Sequence, residues 1–213
     1  MIRAVIFDLD GVLVSTDEYH FQAWQQLARE ERIPFTREDN EKLKGVSRME
    51  SLEIILRQSP RTFPAEAKDW MAERKNSYYR DLLKQLSPAD ILPGVLPFLA
   101  ELRRRRIPAA IGSSSKNAVS ILQAIDLSDA FEAVADGTKI KNSKPHPEVF
   151  LLAASLLSVP PRHCLVVEDA EAGVEAGLTA GMAVLAVGSA SSMAKATHRA
   201  KDLSQVSPDQ VLA

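Results

Sequence analysis

Asp8-Leu9-Asp10-Gly11-Val12 stands directly after the first apolar run of the chain. Two carboxylates two residues apart at a strand end can divide labour: one binds a metal ion and attacks as a nucleophile, the other carries a proton. A carboxylate attacking phosphorus needs its own charge offset by a cation. Glu168-Asp169, at the end of another apolar run, would complete an all-oxygen donor set of the kind Mg2+ prefers. Lys144-Pro145 follows a loop, where a lysine can neutralise charge building on phosphoryl oxygens. Ser113-Ser114-Ser115-Lys116-Asn117 leaves a further run and opens a helix, where hydroxyls and backbone N–H groups suit phosphate. Each has a plainer alternative: aspartates capping a loop, a solvated lysine, a serine N-cap. Their shared placement favours one metal and phosphate site with Asp8 as its nucleophile.

Positioning such residues takes a buried sheet. Five short apolar runs, 4–7, 109–112, 133–135, 165–167 and 183–187, are continuous rather than alternating, as strands covered on both faces are. From the second run onward, helical patterns fill the gaps at 97–105, 117–125, 147–157 and 172–180. Strand alternating with helix predicts a parallel sheet of α/β, Rossmann-like type, whose ligands bind beyond the carboxyl ends of its strands. Asp8, Ser113, Asp136 and Glu168-Asp169 stand at those ends.

The stretch 16–89 differs. Phe21, Trp24, Leu27 and Ala28 fall at helical spacing, as do Leu52, Ile55 and Leu56, and then Ala67, Met71, Tyr78 and Leu82. This predicts a small α-helical cap domain, 16–89, inserted into a catalytic core of 1–15 and 90–213, with Pro88 and Leu92-Pro93-Gly94 marking the return. Gly173, Gly177 and Gly181 are read as glycines of close helix–sheet packing.

The bulk numbers narrow the function. A net charge of −2 asks for no nucleic-acid partner, and Arg103–Arg106 reads as a solvated helix end. No apolar run approaches the roughly 20 residues of a membrane span. Asp8 and Asp10 interrupt the only apolar stretch that could serve as a signal peptide. Cys164 is the one cysteine, expected as a buried small hydrophobe, and His146, His163 and His198 lack zinc-ligand spacing. A cytoplasmic monomer acting on a small molecule is expected.

Asp8-Leu9-Asp10-Gly11, Ser113, Lys144-Pro145 and Glu168-Asp169, in that order, resemble the four motifs of the haloacid dehalogenase superfamily, phosphotransferases with a helical cap. A narrower resemblance is to the β-phosphoglucomutases, through Glu18-Tyr19-His20-Phe21 with Ala23-Trp24, Leu43-Lys44-Gly45-Val46-Ser47-Arg48, Arg74-Lys75-Asn76, Ser87-Pro88-Ala89-Asp90 and Ser113–Asn117. Members of that family interconvert β-D-glucose 1-phosphate and glucose 6-phosphate through a bisphosphate. The resemblance implies that Asp8 becomes the phospho-aspartate and that Asp10 is the general acid and base. It implies Mg2+ on Asp8, the Asp10 carbonyl and Asp169, with Glu168 beside them. Ser113 and Lys144 would hold the transferring phosphoryl group, and Arg48, with Ser115, Lys116 and Asn117 in the facing loop, the other phosphate; Ser114 and Trp24 are counted with the phosphate- and substrate-binding residues. His20, Lys75, Gly45, Val46 and Ser47 would face the sugar, with Thr16 at the hinge. The loop 138–142 is more basic than the family leads one to expect. A sugar-phosphate phosphatase on the same core, a phospho-aspartate receiver and an inactive sugar-phosphate binder are the alternatives; a cap of some 70 residues does not suit a receiver.

Overall fold

A computed structural model of the chain describes residues 1–43 and 46–213. The predicted runs become β1 (Ala4–Phe7), β2 (Ala109–Gly112), β3 (Ala133–Ala135), β4 (Cys164–Glu168) and β5 (Ala183–Ala186), and a sixth strand, β6 (His198–Arg199), was not foreseen. All pair in parallel, in the order β3-β2-β1-β4-β5-β6. Between β1 and β2 lie α1 (Asp17–Glu30), α2 (Arg37–Glu41), α3 (Arg48–Leu56), α4 (Ala65–Leu83) and α5 (Val95–Arg105). After β2 come α6 (Ala118–Ala124), α7 (Glu148–Leu156), α8 (Glu171–Thr179) and α9 (Pro208–Val211).

The sheet is buried on both faces, which is why its strands read as unbroken apolar runs. Val5, Phe7, Ile111, Leu165 and Val167 pack on one side with Phe98 and Leu102 of α5 and Ile121 and Leu122 of α6. Their neighbours Ala4, Ile6, Ala110 and Val166 pack on the other with Val149 and Phe150 of α7 and Val174 of α8. β6 escaped the reading because it is two polar residues long at the sheet edge. β4 extends one residue past the apolar run, so Glu168 closes the strand rather than following it, while β5 stops at Ala186, one residue before the run ends.

The chain runs outward through β2 and β3, then returns to the other side of β1 for β4. The switch point between β1 and β4 is where such sheets open a crevice, and Asp8 and Glu168 lie on its two sides. Of the three glycines read as packing positions, Gly177 fits: a Cβ there would sit 2.8 Å from Val184. Gly173 instead makes room for the Glu168 carboxylate, and Gly181 has nothing within 4 Å but a φ of +74°, so it turns the chain after α8.

Helices α1, α3 and α4 enclose their own apolar cluster of Trp24, Leu27, Leu52, Ile55 and Met71, while Ala23, Tyr79 and Leu83 join the core of the sheet. The buried stripe of α4 is Met71, Ala72, Lys75, Asn76, Tyr79 and Leu83. Tyr78 and Leu82, which apolar spacing places on that face, pack partly buried along its edge; Lys75 and Asn76, buried at its centre, are polar and escape an apolar count. No helix of the described residues is long and apolar enough to cross a membrane.

Gly112, the last residue of β2 before Ser113, has no space for a side chain: a Cβ would stand 2.7 Å from the Phe150 ring and 3.0 Å from Ile6. Gly112→Ala should therefore cost about 1–3 kcal/mol through overpacking. Equilibrium urea unfolding would show it as a lower midpoint at unchanged slope; an unchanged midpoint would mean that α7 yields freely.

Candidate active site

Asp8 leaves β1 with its N–H bonded to the Val167 carbonyl at 2.9 Å and its side chain almost fully buried. Lys144, preceded by the loop after β3 and joined to Pro145 by a cis peptide bond, is also buried. Its ammonium donates to Asp8 Oδ1 at 2.6 Å and Glu168 Oε1 at 2.5 Å, above the Phe150 ring. Burial alone would lower the Lys144 pKa, but Asp8 and Glu168 outweigh it and the net shift is upward. Glu168 Oε2 accepts from the Ala170 N–H at 2.8 Å, so both of its oxygens have partners.

Carboxylate oxygens of Asp8, Glu168 and Asp169 lie within 4.8 Å of one another. Burial first, then the charges of Glu168, Asp8 and Asp10, push Asp169 up to about 9. One lysine among so many acids leaves a deficit of positive charge, and an all-oxygen donor set with that deficit fits a hard divalent cation. Gly11 permits the approach: at φ +80°, a Cβ would fall 2.0 Å from Asp169 Oδ2.

Asp10 turns the other way. Its two oxygens accept from the Thr16 N–H and the Thr16 hydroxyl, each at 2.6 Å, and Thr16 Oγ1 also meets the Tyr79 hydroxyl at 2.8 Å. Burial and then Asp17 push Asp10 up to about 7, against the Thr16 bonds, which places it well to exchange protons near neutrality. His20 Nε2 is 3.8 Å from Asp10 Oδ2, and His20 Nδ1 is 2.8 Å from Lys75 Nζ. Lys75 lies against the Trp24 and Tyr79 rings. Burial first, then nearby cations, lowers the pKa of both His20 and Lys75.

A cleft of about 1110 Å³ joins these groups. Asp8, Asp10, His20, Trp24, Val46, Ser47, Arg48, Lys75, Ser113–Asn117, Lys144, Glu168 and Asp169 all line it. Thr16 stands behind Asp10, fully buried. Gly45 lies outside the described residues. Asp136 does not join the carboxylates; it caps its own loop at Thr138. The Ser47 hydroxyl is engaged with Glu50 in the capping box of α3. In the 113–117 loop, the N–H groups of Ser115 and Asn117 are held by the hydroxyls of Ser113 and Ser115. Tyr79 and Glu73 are cleft residues that the sequence reading had not singled out, and Asn76, named there only within the Arg74-Lys75-Asn76 segment, joins them; a polar pair inside the buried stripe of α4 was the available signal.

A family model described as haloacid dehalogenase-like hydrolase matches residues 2–181. The β-phosphoglucomutase of Bacillus subtilis is 44% identical over 88% of this chain and 84% of its own. A phosphorylated carbohydrates phosphatase of Thermotoga maritima is 32% identical over 99% and 97%. Among solved structures, β-phosphoglucomutase from Clostridium difficile superposes with a TM-score of 0.94 at 41% identity, over 99% and 96% of the two chains. Likeness that spans the sheet, the helices inserted after β1 and the carboxylate cluster alike makes this chain a member of the haloacid dehalogenase-like hydrolase family.

Proposed function

We propose that the protein is a β-phosphoglucomutase, interconverting β-D-glucose 1-phosphate and glucose 6-phosphate through an aspartyl-phosphate and β-glucose 1,6-bisphosphate. The observation that carries this reading is a single cleft in which Arg48, from the helices after β1, and the 113–117 loop stand beside Asp8 and Asp10. A hydrolase of one phosphate has no need of a second set of phosphate contacts. The 44% identity to the Bacillus subtilis enzyme points the same way. Residues 16–89 would act as the cap and 1–15 with 90–213 as the catalytic core.

In this reading phospho-Asp8 donates its phosphoryl group to the 6-hydroxyl of β-glucose 1-phosphate, and Asp10 takes the hydroxyl proton. The bisphosphate then turns around. Asp8 attacks the phosphorus at C1, the C1–O–P linkage breaks on the phosphorus side, and Asp10 returns the proton to the departing oxygen. Lys144 holds charge on the transferring oxygens together with Ser113. Arg48, with Ser115, Lys116 and Asn117, holds the other phosphate, and a guanidinium can do so bidentately. Mg2+, held by Asp8, Asp169 and the Asp10 carbonyl, would supply the remaining positive charge. The likeness to bacterial enzymes supports a cytoplasmic setting.

The deciding assay supplies β-glucose 1-phosphate, Mg2+ and a trace of glucose 1,6-bisphosphate. Glucose 6-phosphate is the expected product; inorganic phosphate alone would make the enzyme a phosphatase. EDTA should abolish turnover and excess Mg2+ restore it, whereas full activity in chelator would remove the metal from the reaction. Asp8→Asn should stop labelling by acetyl phosphate while circular dichroism stays native, since an amide is a poor nucleophile.

Asp10→Asn should lower kcat by about 10²–10⁴-fold with little change in Mg2+ affinity. Normal kcat at saturating metal would contradict the proton-carrying role. Arg48→Ala should cut mutase kcat/KM at least about tenfold, one decade per 1.36 kcal/mol, and hardly affect Asp8 labelling by acetyl phosphate, which has no second phosphate. Equal losses in the two assays would place Arg48 at the transferring group instead.

A further inference from the structure

Arg48 and Asn117 reach the cleft from opposite sides, Arg48 from the start of α3 and Asn117 from the loop after β2. One stripe of α4 links them. Arg48 Nη1 donates to Glu73 Oε2 at 3.2 Å. Three residues on, Asn76 Nδ2 lies 3.5 Å from Glu73 Oε1, and Asn76 Oδ1 accepts from Asn117 Nδ2 at 3.0 Å. One turn further, Arg80 stands 3.6 Å from Glu73 Oε1. Asn76 is 6% exposed, while the Glu73 side chain is 62% exposed.

The two contacts differ in kind. The Glu73 carboxylate is an anion on the guanidinium that a phosphate dianion would claim, so phosphate and Glu73 compete for Arg48. The Asn117 amide carries two N–H groups and gives only one to Asn76. Asn76 therefore leaves Asn117 a donor for a ligand and fixes which end of the amide supplies it.

We propose that Glu73 and Asn76 are positioning residues that set the selectivity of the second-phosphate subsite, Glu73 as a resident competitor for Arg48 and Asn76 as a strut that orients Asn117 from the α4 side. Glu73 keeps Arg48 ordered and neutralised until a ligand bearing a dianion displaces it. Weakly charged or singly anchored ligands fail to do so, and sugar phosphates that present a free phosphate to the subsite succeed. This inference rests on the mutase reading of the cleft.

The two roles predict opposite shifts, and the intact enzyme tests them. Glu73→Gln keeps the side-chain shape and removes the charge; KM for β-glucose 1-phosphate should fall about two- to fivefold, the range of a half-exposed ion pair. Asn76→Ala should raise that KM about tenfold, because Asn117 loses its buried partner. Labelling of Asp8 by acetyl phosphate serves as the reference, since it draws on neither Arg48 nor Asn117. An unchanged or raised KM in Glu73→Gln would overturn the competitor role, and its exposed position keeps that test open even if Asn76→Ala folds poorly. Equal losses of sugar-phosphate turnover and acetyl phosphate labelling in Asn76→Ala would reduce Asn76 to general packing. A wild-type enzyme that releases only inorganic phosphate would overturn the mutase reading separately, and the same KM shifts, measured on hydrolysis, would still decide for or against Glu73 and Asn76.

Discussion

One ammonium group sits at the centre of the electrostatics. Lys144 is sealed from solvent between Asp8 and Glu168, and around that pair stand Asp169 and Asp10, whose own acidity is weakened by burial. Four carboxylates at the ends of two neighbouring strands would repel one another out of any compact arrangement without such a charge. Deleting one partner of a buried pair costs about 3–5 kcal/mol, because the other is left uncompensated. The surroundings are arranged to keep it intact: Phe150 closes off water below, Gly173 clears the space for Glu168, and the Ala170 N–H fixes the second Glu168 oxygen. Glu168 takes one protein partner on each oxygen, so Asp8, Glu168 and Asp169 all keep lone pairs that a cation could use.

The helices after β1 respond to the same charge pattern from the opposite wall. Asp10 is bonded to Thr16, the residue at which α1 begins, and through Thr16 to Tyr79 on α4. Lys75, Asn76 and Glu73 occupy the neighbouring turns of α4, so that one helix carries groups reaching the Asp10–Thr16 pair, His20 and the Arg48–Asn117 side of the cleft. A shift of α4 along its axis would disturb all three together.

Much of this was legible in the amino-acid sequence, for definable reasons. A strand buried on both faces leaves an unbroken apolar run, and β1 to β5 were visible to within one residue or so at each end. β6 has two polar residues and pairs on one side only, so no periodicity could mark it. The carboxylates of Asp8, Glu168 and Asp169 stood out because each closes an apolar run, and the cleft brings them together. Apolar spacing traced one edge of the buried face of α4 through Met71, Tyr78 and Leu82 but not its polar centre at Lys75 and Asn76, because hydrophobic counting assigns such positions to solvent. Sequence rules fail in this way where a chain spends stability on function. The contacts of Glu73 and Asn76 join residues 25 and 41 positions apart, a relation that spacing cannot encode.

The short sixth strand has a consequence for how the molecule behaves in crowded solution. A parallel sheet ends in a row of unpaired backbone groups on which a strand of another molecule can grow. Here that border is only His198 and Arg199, with Lys201 just beyond, and the opposite border is the three-residue β3. A visiting strand would find a register of two or three residues at either side, and at the β6 side a basic charge before it could settle. Colloidal stability is thereby built into the margins of the sheet, independently of the chemistry at its carboxyl end.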